Sequence, residues 1–134
     1  MTYRELHGYK YELMEDVCIP TKIKGPIVTK YGSVLENMLI IRDGYAWDGP
    51  SGPTIDTATF MRGSLVHDFY YQLMREGRIS AYYWREYADQ ELRRICIEDG
   101  MNKFRAWYVY WAVRIWGHWT CKPRKNPRGK VVTI

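Results

Sequence analysis

The sequence is poor in cysteine, in phenylalanine and, over its last quarter, in negative charge. Cys18, Cys96 and Cys121 are spread over 134 residues without a C-x-x-C pair. That spacing gives no support to a zinc or thiol-redox motif and fits small buried thiols in a reducing compartment. No run approaches the roughly 18 apolar residues of a membrane-spanning helix. The opening Met1-Thr2-Tyr3-Arg4-Glu5 has no apolar core of a signal peptide. The Gly-rich stretch 49–52 has no G-K-[ST] ending, and no G-x-G-x-x-G occurs, so a phosphate cradle is unsupported. Internal repeats and low-complexity tracts are missing too.

What is present is a folded chain of single-domain length. Hydrophobic residues make up 46% and charged residues 26% of it, a balance that offsets ordering entropy by burial. Aromatics reach 16%, through 12 Tyr and 6 Trp against 3 Phe. The net charge of +5 is unevenly placed. Residues 1–100 hold twelve basic and fifteen acidic side chains, a net −3, whereas eight basic and no acidic ones follow from Met101, a net +8. A basic end of this kind is expected to meet an anionic surface or simply to solvate the chain.

The patterning predicts an α+β domain over 1–134, with a small, mostly antiparallel sheet first and three helices packed on it. Residues 1–47 are β-rich, with strand-like runs at Tyr9 to Leu13, Pro26 to Lys30, Ser33 to Leu35, Met38 to Arg42 and Tyr45 to Trp47. Asp43-Gly44 between two apolar runs predicts a hairpin, because both positions tolerate positive φ. Residues 48–56 form a Gly/Pro loop stiffened by Pro50 and Pro53. Three helices are expected over 57–117: one from a cap at Asp56 or Thr57 to Glu76, one from Ser80 to Asp99, one from Asn102 to Trp116. Gly77, Gly100 and Gly117 stand as stops. Residues 118–134 are an irregular basic tail, with an edge strand expected at Val131 to Ile134.

The first of these helices is apolar on two sides. Ala58, Met61, Leu65, Val66, Phe69 and Leu73 share one face, and Phe60, His67, Tyr71 and Met74 gather opposite. Such a helix lies between layers, which places His67 inside the protein or on a cleft wall. Chemistry-bearing residues concentrate here: Trp47-Asp48, Arg62, His67-Asp68, Tyr71 and Asp89. Adjacent His and Asp on a helix occur in metal-dependent phosphohydrolases of the HD type, although their upstream His has no counterpart. Asp48, His67, Asp68 and Asp89 are therefore candidate ligands of a divalent metal, with His67 and Asp68 as catalytic candidates. The competing expectation is structural. His67 would bond a backbone carbonyl, Asp68 would pair with Arg62 or cap the loop, and Asp89 would pair with Arg85 or Arg93, with no cofactor. Arg62, on an apolar face, needs a carboxylate in either case. Ser64 sits one turn from His67 and Asp68, but one helix cannot align the three as a catalytic triad.

The third helix is aromatic around almost its whole circumference and carries Lys103, Arg105 and Arg114. It is read as the central core helix, as a partner-binding face, or as a helix lying in a membrane interface. For a partner-binding face, Trp107, Trp111, Trp116 and Trp119 with Lys122, Arg124, Lys125 and Arg128 are the candidates. Nucleic acid is the weakest partner class, because the aromatics are packed on a helix rather than spread over a sheet.

Tyr45-Ala46-Trp47-Asp48-Gly49-Pro50-Ser51-Gly52-Pro53, Arg62, His67-Asp68-Phe69-Tyr70-Tyr71, Asp89 and Val113-Arg114-Ile115-Trp116-Gly117 together resemble a phage-encoded family, domain-of-unknown-function family 1353. Pro50 stands where that family usually has Ala. The resemblance implies a phage origin and a shared importance of Asp48, Arg62, His67, Asp68, Tyr71 and Asp89, but no activity. The expected function is that of an accessory or virion-associated protein binding other phage or host proteins, with the polar residues as a structural cluster. It would act in the host cytoplasm or within the virion. The alternative is a small metal-dependent hydrolase that uses a metal-bound water.

Overall fold

A computed structural model describes residues 1–6, 11–48 and 58–117. Seven strands come first: β1 (Tyr3–Glu5), β2 (Tyr11–Leu13), β3 (Val17–Pro20), β4 (Ile27–Thr29), β5 (Gly32–Leu35), β6 (Met38–Ile41) and β7 (Ala46–Trp47). Three helices follow: α1 (Ala58–Arg75), α2 (Ala81–Glu98) and α3 (Lys103–Trp116). The class is α+β. The strands form two antiparallel sheets, of order β1-β2-β7 and β3-β6-β5-β4.

The turn chemistry explains why there are two sheets. Asp43-Gly44 does turn the chain, with Gly44 at φ +89°. It joins no hairpin, however, because β6 pairs with β3 and β5 whereas β7 pairs with β2. The turn is a corner from one sheet to the other, held by Gly44 N–H donating to the Leu13 carbonyl at 2.7 Å. The hairpin with two successive positive φ values lies instead at Glu36-Asn37, at +50° and +64°, between β5 and β6. Asn tolerates this conformation and Glu does so at a cost, which is why the pair is hard to read as a turn. Strands β1 and β3 were not expected either. In β3, Val17 and Ile19 alternate with exposed Cys18 and Pro20, so only two apolar residues mark it.

The helix ends follow their caps. Ser80 accepts from Tyr83 N–H, and Asn102 accepts from Phe104 N–H at 2.8 Å and Arg105 N–H at 3.2 Å. At Gly77 (φ +71°) and Gly100 (φ +101°) the paired bonds Arg78 N–H to Leu73, and Met101 N–H to Cys96, close the last turns of α1 and α2. The expected caps of α1, Asp56 and Thr57, lie outside the described residues, as do the loop 49–57 and the tail 118–134 with Val131 to Ile134.

The helices stack outward in succession rather than sharing the sheet surface. As its two apolar faces predict, α1 lies at the centre, and its Leu65, Val66, Phe69, Tyr70 and Leu73 pack with Leu13, Ile19, Val34, Leu39, Ile41, Tyr45 and Trp47 from both sheets. Helix α2 covers α1. The approach is closest at Gly63, where a Cβ would stand 2.7 Å from Cys96 Sγ and 3.2 Å from Leu92, so a side chain there would force the helices apart. Helix α3 packs on α2 through a second, smaller core of Phe60, Leu92, Cys96, Met101, Ala106 and Val109. It buries only Ala106 and Val109 of its own. The central core helix is thus α1, and α3 is the outermost layer.

Candidate functional site: a buried carboxylate at a three-helix junction and an exposed aromatic face

Asp89 on α2 is fully buried and gathers donors from the two other helices. Tyr71 Oη donates to Oδ1 at 2.6 Å, His67 Nε2 stands 2.7 Å from the same oxygen, and Arg114 Nη1 donates to Oδ2 at 3.0 Å. His67 and Tyr71 are one turn apart on α1, and their rings stack at 4.2 Å between centroids. At that distance His67 Nε2 and Asp89 Oδ1 are hydrogen-bonding partners. Arg85, one turn before Asp89, donates through its guanidinium to the Arg114 carbonyl. Gly117 completes the junction, because a Cβ there would fall 2.5 Å from Tyr71 Oη. One buried carboxylate therefore ties α1, α2 and α3 together.

This differs from both sequence expectations in a definite way. The partner of Asp89 is Arg114 from α3, not Arg85 or Arg93, because α3 packs along α2 and brings Arg114 level with Asp89. His67 meets a carboxylate rather than a backbone carbonyl. Asp68 points to the sheet side, where Tyr45 Oη donates to it at 2.8 Å and Arg75 Nη2 lies 3.7 Å away. Arg62 does find carboxylates, but they belong to the end of α2: Asp99 at 2.8 and 3.0 Å and Glu98 at 2.7 Å. That fork raises the pKa of Arg62, chiefly through the Asp99 bond, and holds Glu98 below the usual carboxylate range. Trp47 is fully buried, and its Nε1–H donates to Ser64 Oγ at 3.2 Å, which in turn donates to the Met61 carbonyl at 2.9 Å. Asp48 is exposed.

The four candidate metal ligands are thus divided, with Asp48 at the surface, His67 with Asp89 at the helix junction, and Asp68 with Tyr45. Among the described residues, no three His, Cys, Asp or Glu side chains are placed to hold one metal ion. The participants that sequence reasoning missed are Arg114, Tyr45, Ser64, Glu98 and Asp99. A signal existed for Arg114: with no acid after position 100, an arginine on an apolar helix has to find its carboxylate in the body of the domain.

Burial has a measurable consequence on the alkaline side. It raises the pKa of Tyr71, reinforced by Asp89, raises that of Tyr70, and pushes the Cys96 thiol up to about 12. Each of these groups stays protonated in the fold at a pH where the unfolded chain releases its proton. Their stabilisation is complete below the unfolded values of 9.0 for Cys96 and 10.0 for the tyrosines and declines as pH rises beyond them. Stability should fall by about 1.4 kcal/mol per pH unit above pH 9, and about three times as steeply above pH 10. Urea titrations from pH 8 to 11 measure this, and a Cys96→Ala variant should lose the first, shallower limb.

The second feature is the outer face of α3. Phe104, Trp107, Tyr108, Trp111 and Ile115 recur at helical spacing as one stripe, with Trp116 beside it. All six are exposed: Phe104 by 75%, Trp111 by 48% and Trp116 by 69%. Large apolar side chains exposed in one row mark an interaction surface far more often than scattered ones do. Trp119, Lys122, Arg124, Lys125 and Arg128 lie outside the described residues. Among the described residues, no helix is long and apolar enough to cross a membrane.

No curated protein and no solved structure matches the chain. A family model described as "Protein of unknown function (DUF1353)" matches residues 21–113, well over half of the sequence and all of the junction except Arg114 and Gly117. The chain belongs to that family.

Proposed function

We propose that this protein is a phage-encoded accessory or virion-associated protein that acts by binding other phage or host proteins through the outer face of α3. The observation that carries the reading is the exposed aromatic stripe from Phe104 to Ile115. Trp and Tyr supply large, stiff contact area at small entropic cost, and they lead among residues whose truncation weakens interfaces. The helix that bears them packs on α2 by its opposite side, so the stripe is presented on a fixed support. The polar residues around Asp89 serve as the brace of that support. The host cytoplasm, or the virion itself, is where such partners would be met.

The test is hydrodynamic. In lysate of cells producing the protein together with its natural neighbours, the 16.0 kDa chain should migrate in a larger complex. A Trp107→Ala/Trp111→Ala variant should migrate alone while keeping its urea midpoint, because neither residue belongs to a core cluster. A wild-type chain that runs as a monomer there, or a double variant that stays in the complex, would remove the stripe as the binding surface.

A further inference from the structure

We propose that α3 is a hinged arm that lifts off α2 as a unit while the sheets, α1 and α2 stay folded, with the Asp89–Arg114 ion pair as its latch. This holds whatever α3 binds. Little apolar surface keeps the arm down. Of its 14 residues only Ala106 and Val109 are buried, and both are small, whereas α1 buries thirteen of its 18. The helix is seated on Phe60, Leu92, Cys96 and Met101 of the second core and contributes no residue to the larger one. Local stability follows this distribution, so the layer with the fewest buried contacts opens at the lowest free energy.

The two ends of the arm differ. At its start, residues 99–102 join it to α2, and Gly100 stands there at φ +101°, the kind of position between elements that absorbs a change of backbone angle. Polar ties gather at its far end. Arg114 Nη1 donates to Asp89 Oδ2 at 3.0 Å, the Arg114 carbonyl accepts from Arg85, and Gly117 packs against Tyr71 Oη. Arg93 over the Tyr110 ring at 5.7 Å and Arg105 over the Phe60 ring at 5.8 Å add weaker contacts along its length. Asp89 keeps partners after release. Its Oδ1 holds Tyr71 Oη at 2.6 Å and His67 Nε2 at 2.7 Å, both from α1, so the α1–α2 seam stays tied. Oδ2 faces Arg114 and passes to water when the arm leaves. Closure is still favoured, because an open arm bares Phe60, Leu92 and Cys96.

A free helix of 14 residues is marginal in water, so the arm loses amide protection each time it lifts. Hydrogen exchange of the full chain, followed by mass spectrometry in urea below the unfolding transition, reads this directly. Peptides from 103–116 should exchange about tenfold or more faster than those from α1, through an opening that depends less on urea. Ile41→Val, in the larger core, should speed exchange in α1 and leave α3 unchanged, since the arm opens without disturbing that core. Arg114→Met should speed exchange in α3 about tenfold or more, as a hydrogen bond to a charged group is lost. One rate and one urea slope for both helices, moved alike by Ile41→Val, would mean that the fold opens as a whole and would overturn the arm. An Arg114→Met variant with unchanged exchange in α3 would overturn the latch. Exchange of 103–116 at the rate of an unstructured peptide in the wild type would show that no arm is docked at all.

Discussion

Asp89→Ala should cost the fold about 3–5 kcal/mol, a large share of the roughly 5–15 kcal/mol that holds a domain together. The physical reason is what stays behind. Tyr71 Oη, His67 Nε2 and the Arg114 guanidinium all converge on one carboxylate with no exposure to water. Without it, the buried Tyr71 hydroxyl and the half-buried His67 lose their acceptor and an arginine loses its counter-charge. Tyr71→Phe, by contrast, removes one donor and leaves the carboxylate two others, so about 1 kcal/mol is expected. Urea denaturation of both variants measures the difference. A double-mutant cycle with Arg114→Met should show coupling well above 0.5 kcal/mol, since the two sites share one bond. An Asp89→Ala loss under about 1 kcal/mol would show that the junction is not what binds the three helices.

Trp47→Ala should be comparably severe, again about 3–5 kcal/mol, but for an apolar reason. The indole is fully buried, packs against the rings of Tyr3 at 6.1 Å and Tyr11 at 5.5 Å, and lies between the β1-β2-β7 sheet and α1. Its removal opens a cavity where sheet and helix meet. Trp47→Phe fills most of that space and loses only the bond to Ser64 Oγ, so it should cost less than half as much. Thermal or urea unfolding of the pair separates the two contributions. Equal losses for Ala and Phe would assign the role of Trp47 to its hydrogen bond rather than to its volume.

The helical half was legible because its signals are local. Ser80 and Asn102 as caps, Gly77 and Gly100 as stops, and the two-sided apolar pattern of α1 each act within a turn or two of their own position. The sheet half was less so. Asp43-Gly44 carries the residues of a hairpin but bends between sheets, since strand pairing depends on partners that lie far away in sequence, and β7 pairs with β2 rather than with β6. The short strands β1 and β3 offer too few alternations to show a period. In the site, Arg62, His67, Asp68, Tyr71 and Asp89 stood out by residue type, and all five do make polar contacts. Their pairing was not legible. Whether Asp89 meets Arg85, Arg93 or Arg114 is decided by how α3 crosses α2, which no spacing within α2 encodes.

The corner at Asp43-Gly44 has a consequence for how the chain can assemble. Strands β2 and β7 are neighbours in one sheet, yet about thirty residues separate them. Closing a flexible loop of that length carries an entropic penalty of about 3 kcal/mol beyond a constant, a heavy demand on a two-residue strand. That intervening stretch is itself the four-stranded sheet, in which the hairpins β4–β5 and β5–β6 bring β6 back onto β3, close to where Leu13 N–H donates to the Tyr45 carbonyl at 2.8 Å. Once that sheet has formed, the ends of β2 and β7 already stand side by side. The larger sheet is nested inside the smaller one, and the longest-range pairing follows on a series of shorter ones.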